Sequence, residues 1–90
     1  MTFPKVSISA ADRIGKYKSY SFCAIYGIKL MEALSDDVLL KATDWDSEES
    51  KAICRRIGSQ TNPYWVIAQA AEALYERGLI DEHKLDELTR

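Results

Sequence analysis

Hydrophobic positions recur at helical steps through most of this chain. Tyr17, Tyr20, Ala24, Ile28, Met31 and Leu34 fall on one stripe at three- and four-residue intervals. Phe22 and Ile25 flank that stripe, so the segment from Tyr17 to Leu34 is apolar on more than one side. It is expected to be the central, most buried helix. Its first part, YKSYSFCAIY, is rich in aromatic residues and also fits a strand. Ser35 ends this helix and caps a short one. Asp36 and Asp37 occupy the first turn of the short helix, where its dipole favours carboxylates, and Val38, Leu39, Leu40 and Ala42 supply its apolar contacts. Thr43 to Asp46 break the pattern, with Trp45 expected to pack its ring while Asp44 and Asp46 stay wet.

Asp46 and Glu49 have the spacing of a capping pair for the next helix, whose inward positions are Ile53, Cys54 and Ile57. Gly58 is its C-cap, and Ser59, Gln60 and Thr61 form the turn. Asn62 followed by Pro63 is a strong helix start. Tyr64, Ile67, Ala68, Ala71, Leu74 and Tyr75 make the apolar face of the new helix; Gln69, Glu72 and Glu76 make the polar one. Gly78 closes the helix, with Arg77 near the negative end of its dipole. Leu79 and Ile80 are expected to fold back on the core, and Asp81 to cap a terminal helix anchored by Leu85 and Leu88. At the other end, Val6 and Ile8 alternate with polar residues in the pattern of a short edge strand, and Ser9 and Asp12 have cap-like spacing. Gly15 weakens a helix there. The pattern predicts an all-α fold in one compact domain, 1–90. It is a small bundle of four to five helices containing a helix-turn-helix-like pair over about 46–58 and 62–78.

The phrase LYERGLI, Leu74 to Ile80, follows a short helix ending at glycine, a turn and a second helix. In that respect the segment resembles the helix-turn-helix core of winged-helix regulators. The resemblance covers about a third of the chain and implies DNA binding by the second helix. Arg55, Arg56 and Lys51 would then supply phosphate contacts, with Gln60, Thr61, Asn62 and Gln69 as the polar residues of the recognition helix. Three features depart from it. Glu72 and Glu76 would repel phosphates, no wing follows in DEHKLDELTR, and the net charge is −2.

Charge is unevenly distributed. Residues 1–30 carry Lys5, Arg13, Lys16, Lys18 and Lys29 against Asp12 alone, whereas residues 31–54 carry Lys41 and Lys51 against seven acids. A chain of 90 residues with 47% hydrophobic content builds a small core, and at this size dimerisation would add stability. There is no run of about 18 apolar residues to span a membrane, and MTFPKVSIS lacks the apolar core of a signal peptide. Cys23 and Cys54 lie in apolar helical patterns and are expected as small buried hydrophobes with free thiols, in an intracellular, cytoplasmic protein.

Catalysis needs a nucleophile, acid, base or metal held in register. The single histidine, His83, sits in a polar tail, and the two cysteines lack zinc-ligand spacing. The four glycines are isolated, so there is no phosphate-cradling loop. No enzyme, cofactor or metal is expected. Two surfaces stand out instead. Trp65 falls among Gln69, Glu72 and Glu76 on the polar side of its helix, and an exposed tryptophan near arginine suits a binding hot spot. Trp45, Arg55, Arg56, Gln60 and Asn62 would border it if the two helices cross as a helix-turn-helix. The second surface is acidic: Asp36, Asp37, Asp44 and Asp46, with Glu48 and Glu49, gather at two helix starts and would suit a basic groove.

The function expected from this reading is a small non-catalytic module that binds a protein. It would modulate or inhibit a larger nucleic-acid-handling machine. In size and charge the chain is similar to phage-encoded inhibitors of host defence, the anti-CRISPR proteins among them. The alternative is a helix-turn-helix transcriptional regulator that binds DNA.

Overall fold

The computed structural model describes residues 2–58 and 60–90. Ser59, part of the expected turn, lies outside them. The fold is all-α, with six helices among the described residues: α1 (Ala10–Ile14), α2 (Phe22–Ala33), α3 (Asp36–Ala42), α4 (Glu48–Ile57), α5 (Pro63–Glu76) and α6 (Glu82–Leu88). That is one more than the four to five expected.

Each helix begins at a side chain that accepts from a free backbone N–H of its first turn. Ser9, Ser21, Ser35 and Ser47 accept from Asp12, Ala24, Val38 and Ser50, while Asn62 and Asp81 accept from Tyr64 and Lys84. Two expected starts therefore move. The helix expected from Tyr17 begins at Ser21, because Ser21 offers a cap and the preceding residues turn instead. The helix expected from Asp46 begins at Ser47, which leaves the Asp46 carboxylate for an ion pair with Lys51 at 3.5 Å. Residues 2–9 form neither strand nor helix. Phe3 and Val6 lie against the core, three residues apart rather than in the expected alternation of Val6 and Ile8, and the described residues contain no strand.

The core is built from Leu30, Met31 and Leu34 of α2 and its end, Leu39 and Ala42 of α3, Ile53 of α4, and Val66, Ala70 and Leu74 of α5. The hub is α5, which packs on α2, α3, α4 and α6. It was expected to be α2. The buried stripe of α5 is Val66, Ile67, Ala70, Ala71 and Leu74; it keeps Ile67, Ala71 and Leu74 of the expected face and is rotated from it toward Val66 and Ala70. Tyr64 and Tyr75 are left outside, at 72% and 43% exposure. The alanines at 68, 70, 71 and 73 explain the freedom, since small side chains allow close packing on several sides of one helix.

Helices α2 and α5 meet at a glycine. A Cβ on Gly27 would sit 2.6 Å from Cη2 and 2.7 Å from Cζ3 of Trp65, and 3.1 Å from Cδ1 of Ile57. The indole occupies the space a side chain would need. At the other end of this pair, Arg77 donates to the Glu32 carbonyl at 2.9 Å and the Met31 carbonyl at 3.4 Å, and to Asp36 Oδ1 at 2.7 Å. It therefore caps α2 and reaches the acidic first turn of α3, rather than only completing its own helix. Gly78, at φ +76°, ends α5: its own N–H bonds Tyr75 and the Leu79 N–H bonds Leu74, a Schellman closure that favours glycine. Ile80 folds onto the core as expected, whereas Leu79 stays 45% exposed.

Segment 9–20 is tied onto α2 by polar contacts. Lys29 Nζ lies 3.2 Å from Asp12 Oδ2, and the Tyr17 hydroxyl donates to Glu32 at 3.3 Å. The Ser9 backbone N–H, followed by Lys29, holds the Asp12 carboxyl below its ordinary pKa.

Gly27→Ala is expected to lower stability by about 1–2 kcal/mol, because overpacking against the indole exceeds the gain in helix propensity. The loss should shrink in a Trp65→Phe background, where the outer ring is gone; urea unfolding of the four proteins in the cycle measures it. Ser50 is 1% exposed and its hydroxyl has no hydrogen-bond partner among the described residues. Ser50→Ala is therefore expected to raise stability by about 1 kcal/mol, read as a higher urea midpoint at unchanged slope.

Candidate functional site

The residues singled out from the sequence do not form one surface. Trp65 is half-buried, with the six-membered ring of its indole against Gly27 and the side chain packed on the core. The expectation of an exposed tryptophan is corrected by α2, which covers the side of α5 that a helical wheel leaves open. Gln60 and Asn62 do border Trp65: with Cys23, Ala24, Ile57, Gly58 and Thr61 they line a cavity of about 390 Å³. The Asn62 side chain is also used locally, accepting from the Tyr64 N–H at 2.9 Å.

Arg55 and Arg56 line a separate hollow with Phe3 and Ala52. The Arg56 guanidinium lies 5.8 Å from the centre of the Phe3 ring, a cation–π contact that holds the N-terminal segment on α4. The acidic residues are divided as well. Asp36 is engaged by Arg77, and Asp37 is exposed beside it. Asp44 accepts from the Asp46 N–H at 3.1 Å in the loop between α3 and α4. Trp45, between them, is 61% exposed, so its ring does not pack as expected. A ring flanked by two short, wet side chains at a turn has no apolar wall to meet.

A second cavity, about 290 Å³, runs between α2 and α5 and shares Ala24 and Trp65 with the first. Ala24, Ile28, Met31 and Glu32 come from α2, and Trp65, Gln69, Glu72, Ala73 and Glu76 from α5. The segment before α2 adds Lys16, Tyr17 and Tyr20. The polar stripe of α5 that appears outward in sequence is thus the wall of a groove. Tyr17 and Tyr20 stack with ring centres 5.8 Å apart, and Lys16 Nζ lies 5.3 Å from the centre of the Tyr17 ring. The Lys16 ammonium is held above its ordinary pKa, first through Tyr17 and then by the field of Glu32 and Glu76. Among the described residues, none of the three groove carboxylates has an ion-pair partner within 4.0 Å. Sequence reasoning missed Lys16, Tyr17, Tyr20 and Glu32 as partners of Trp65. The available signal was the polar stripe around Trp65, which needed α2 across from it to become a wall.

Among the described residues, no group of three or more His, Cys, Asp and Glu side chains is placed to hold a metal ion. No helix of the described residues is long and apolar enough to cross a membrane. Comparison with protein-family models, with curated proteins and with solved structures finds no match.

Both cysteines are free thiols, but they differ from each other. Cys23, in the first turn of α2, is exposed rather than buried as expected, whereas Cys54 is half-buried and burial pushes its thiol pKa up. In the folded protein at pH 8, iodoacetamide is expected to modify Cys23 well before Cys54, as peptide mass spectrometry would show. Equal rates would mean that the α2–α4 packing opens on the time scale of labelling.

Proposed function

We propose that this chain is a small, non-catalytic protein-binding module that modulates or inhibits a larger nucleic-acid-handling machine and holds its partner on the α2–α5 face. The carrying observation is the pair of adjoining cavities that meet at Trp65 and Ala24. Tyr20 lines the α2–α5 groove and is 52% exposed, and Phe22 and Tyr64, next in the chain to the cavity residues Cys23 and Trp65, are exposed as well. Phe22 is 60% exposed and Tyr64 72%. Aromatic residues beside a preformed hollow are the usual anchors of protein interfaces. The exposed acids Asp37, Asp44, Asp46 and Glu48 would complement the basic groove of a nucleic-acid-handling partner and speed encounter with it.

The alternative, a helix-turn-helix regulator, draws on Arg55, Arg56, Gln60 and Asn62, all exposed around the end of α4 and the start of α5. Against it stands the chemistry of α5. Trp65 is committed to α2, Gln69, Glu72 and Glu76 line the groove, and Pro63 to Glu76 contains no lysine or arginine. A reading helix needs donors on its outer face near its start, and here that face offers Tyr64.

Two measurements separate these readings. In affinity capture from cell extract, the partner retained by the wild-type chain should be lost with Phe22→Ala/Tyr64→Ala and kept with Arg55→Ala/Arg56→Ala. Titration of labelled duplex DNA at low and moderate salt should show no salt-sensitive binding. Steep salt dependence, flattened by Arg55→Ala/Arg56→Ala, would overturn the protein-binding reading in favour of the regulator.

A further inference from the structure

We infer that the groove between α2 and α5 is a receptor for one arginine side chain presented by the partner protein. The inference rests on the protein-binding reading above and deepens it.

Three properties of the groove point to this occupant. The first is size. At about 290 Å³ it lies at or below the lower end of small-molecule pockets, roughly 300–1,000 Å³, so it suits one long side chain rather than a cofactor. The second is the pairing of flat aromatic walls with carboxylates. Tyr20, 52% exposed, and the half-buried Trp65 offer ring surface, while Glu32, which also accepts from the Tyr17 hydroxyl, and Glu72 and Glu76 supply acceptors that, among the described residues, no cation pairs within 4.0 Å. A guanidinium is the side-chain group that stacks on aromatic faces and donates in a fork to carboxylates at once. A lysine ammonium meets the charge requirement but not the planar one. The third is that the groove already holds a cation at its rim. Lys16 rests over the Tyr17 ring at 5.3 Å and remains exposed, close to the acids without a direct ion pair. A better-fitting cation would displace it or share its site. The floor, Ala24, Ile28, Met31 and Ala73, is apolar and suits the methylene stem of an arginine.

The occupant is assigned to a partner protein rather than to a free polyamine for a reason of surroundings. The groove opens beside Tyr20 and shares Trp65 with the second cavity, which is lined by uncharged residues. A peptide can place arginine in the one and a neighbouring apolar group in the other; a polyamine has nothing for the second.

The test uses the full chain, with Tyr17, Trp65 and Gln69 amide and indole resonances as reporters. The probe is a blocked pentapeptide with central arginine, compared with the same peptide carrying lysine or citrulline, the neutral isostere of arginine. Saturable shifts at these groove residues are expected with the arginine peptide, with lysine weaker and citrulline at least about tenfold weaker. Glu72→Gln/Glu76→Gln should weaken the arginine peptide by about three- to tenfold, the scale of losing two exposed charge pairs. Lys16→Ala should tighten it. Equal binding of the citrulline peptide would overturn the inference. So would no response to Glu72→Gln/Glu76→Gln, shifts confined to the acidic loop at 44–49, or spermidine binding as tightly as the arginine peptide. The two proposals fail separately. A partner captured equally by wild type and Glu72→Gln/Glu76→Gln, yet lost with Phe22→Ala/Tyr64→Ala, keeps the protein-binding reading and removes the arginine receptor. Arginine-peptide binding as described, with no partner captured, keeps the receptor and removes that reading.

Discussion

The contact of Trp65 with Gly27 is the constraint on which the rest of the arrangement depends. An indole this large, in the first turn of α5, can press against the α2 backbone only where α2 lacks a side chain. With the ring seated there, the start of α5 is fixed against both α2 and the end of α4 at Ile57. The distal end of the pair is fixed by a different interaction, the Arg77 guanidinium on the last carbonyls of α2 and on Asp36. Two separate contacts, one steric and one polar, set how α2 and α5 lie together. The groove is what remains between them, where the facing residues Ala24, Ile28 and Ala73 are too small to fill the space. Its existence follows from the docking of the two helices rather than from any flexibility of its walls.

Much of the architecture was legible in the sequence because helix starts are local chemistry. A serine, asparagine or aspartate that can reach a backbone N–H two or three residues on is visible in the chain itself. Ser35, Asn62 and Asp81 were read correctly for that reason, as were the glycines that end α4 and α5. The errors at the starts of α2 and α4 have one origin. Where apolar periodicity or an acidic pair competed with a neighbouring serine, the serine won, because a hydroxyl in reach of an orphan N–H decides the first turn. Periodicity decides only which side of an existing helix is buried. The N-terminal alternation of Val6 and Ile8 shows the same limit: of the two only Val6 packs on the core, beside Phe3, because an extended segment with no strand to pair with is not held to a period of two.

The candidate site was legible only in fragments, and the reason is tertiary. The polar stripe of α5 read as solvent-facing because a helical wheel knows one helix at a time. Trp65 contradicted that stripe, and the contradiction was informative: it marked the place where α2 comes across. What could not be read was which residues come with it. Lys16, Tyr17 and Tyr20 lie about fifty residues from Trp65 in the chain, and they reach the groove only because Tyr17 bonds Glu32 and Asp12 bonds Lys29. Those are single polar contacts, between a buried tyrosine and an exposed glutamate and between two half-exposed charges, with no sequence signature beyond residue type. The scattering of the other expected residues has a related cause. Arg55, Arg56, Trp45 and Asp44 are near Trp65 only if α4 and α5 turn the same faces outward, and the seating of Trp65 on Gly27 faces it toward α2 instead.

That seating also decides what α5 has left to offer. A helix that enters a DNA groove must keep one long face free, yet α5 is packed by four other helices. Its core stripe is buried and its polar stripe is the wall of the groove, so little remains beyond Tyr64, Ala68 and Tyr75. The charges that remain accessible along it are Glu72 and Glu76, and a positive partner is the one they favour. The free surface and its sign therefore agree. The helix that looks like a reader of DNA in outline carries the charge sign that the proposed protein-binding role needs and that a duplex would repel. An arginine is the side chain by which such a partner would ordinarily hold phosphate, and carboxylates at the rim of an aromatic groove compete for the same group by the same fork of donors.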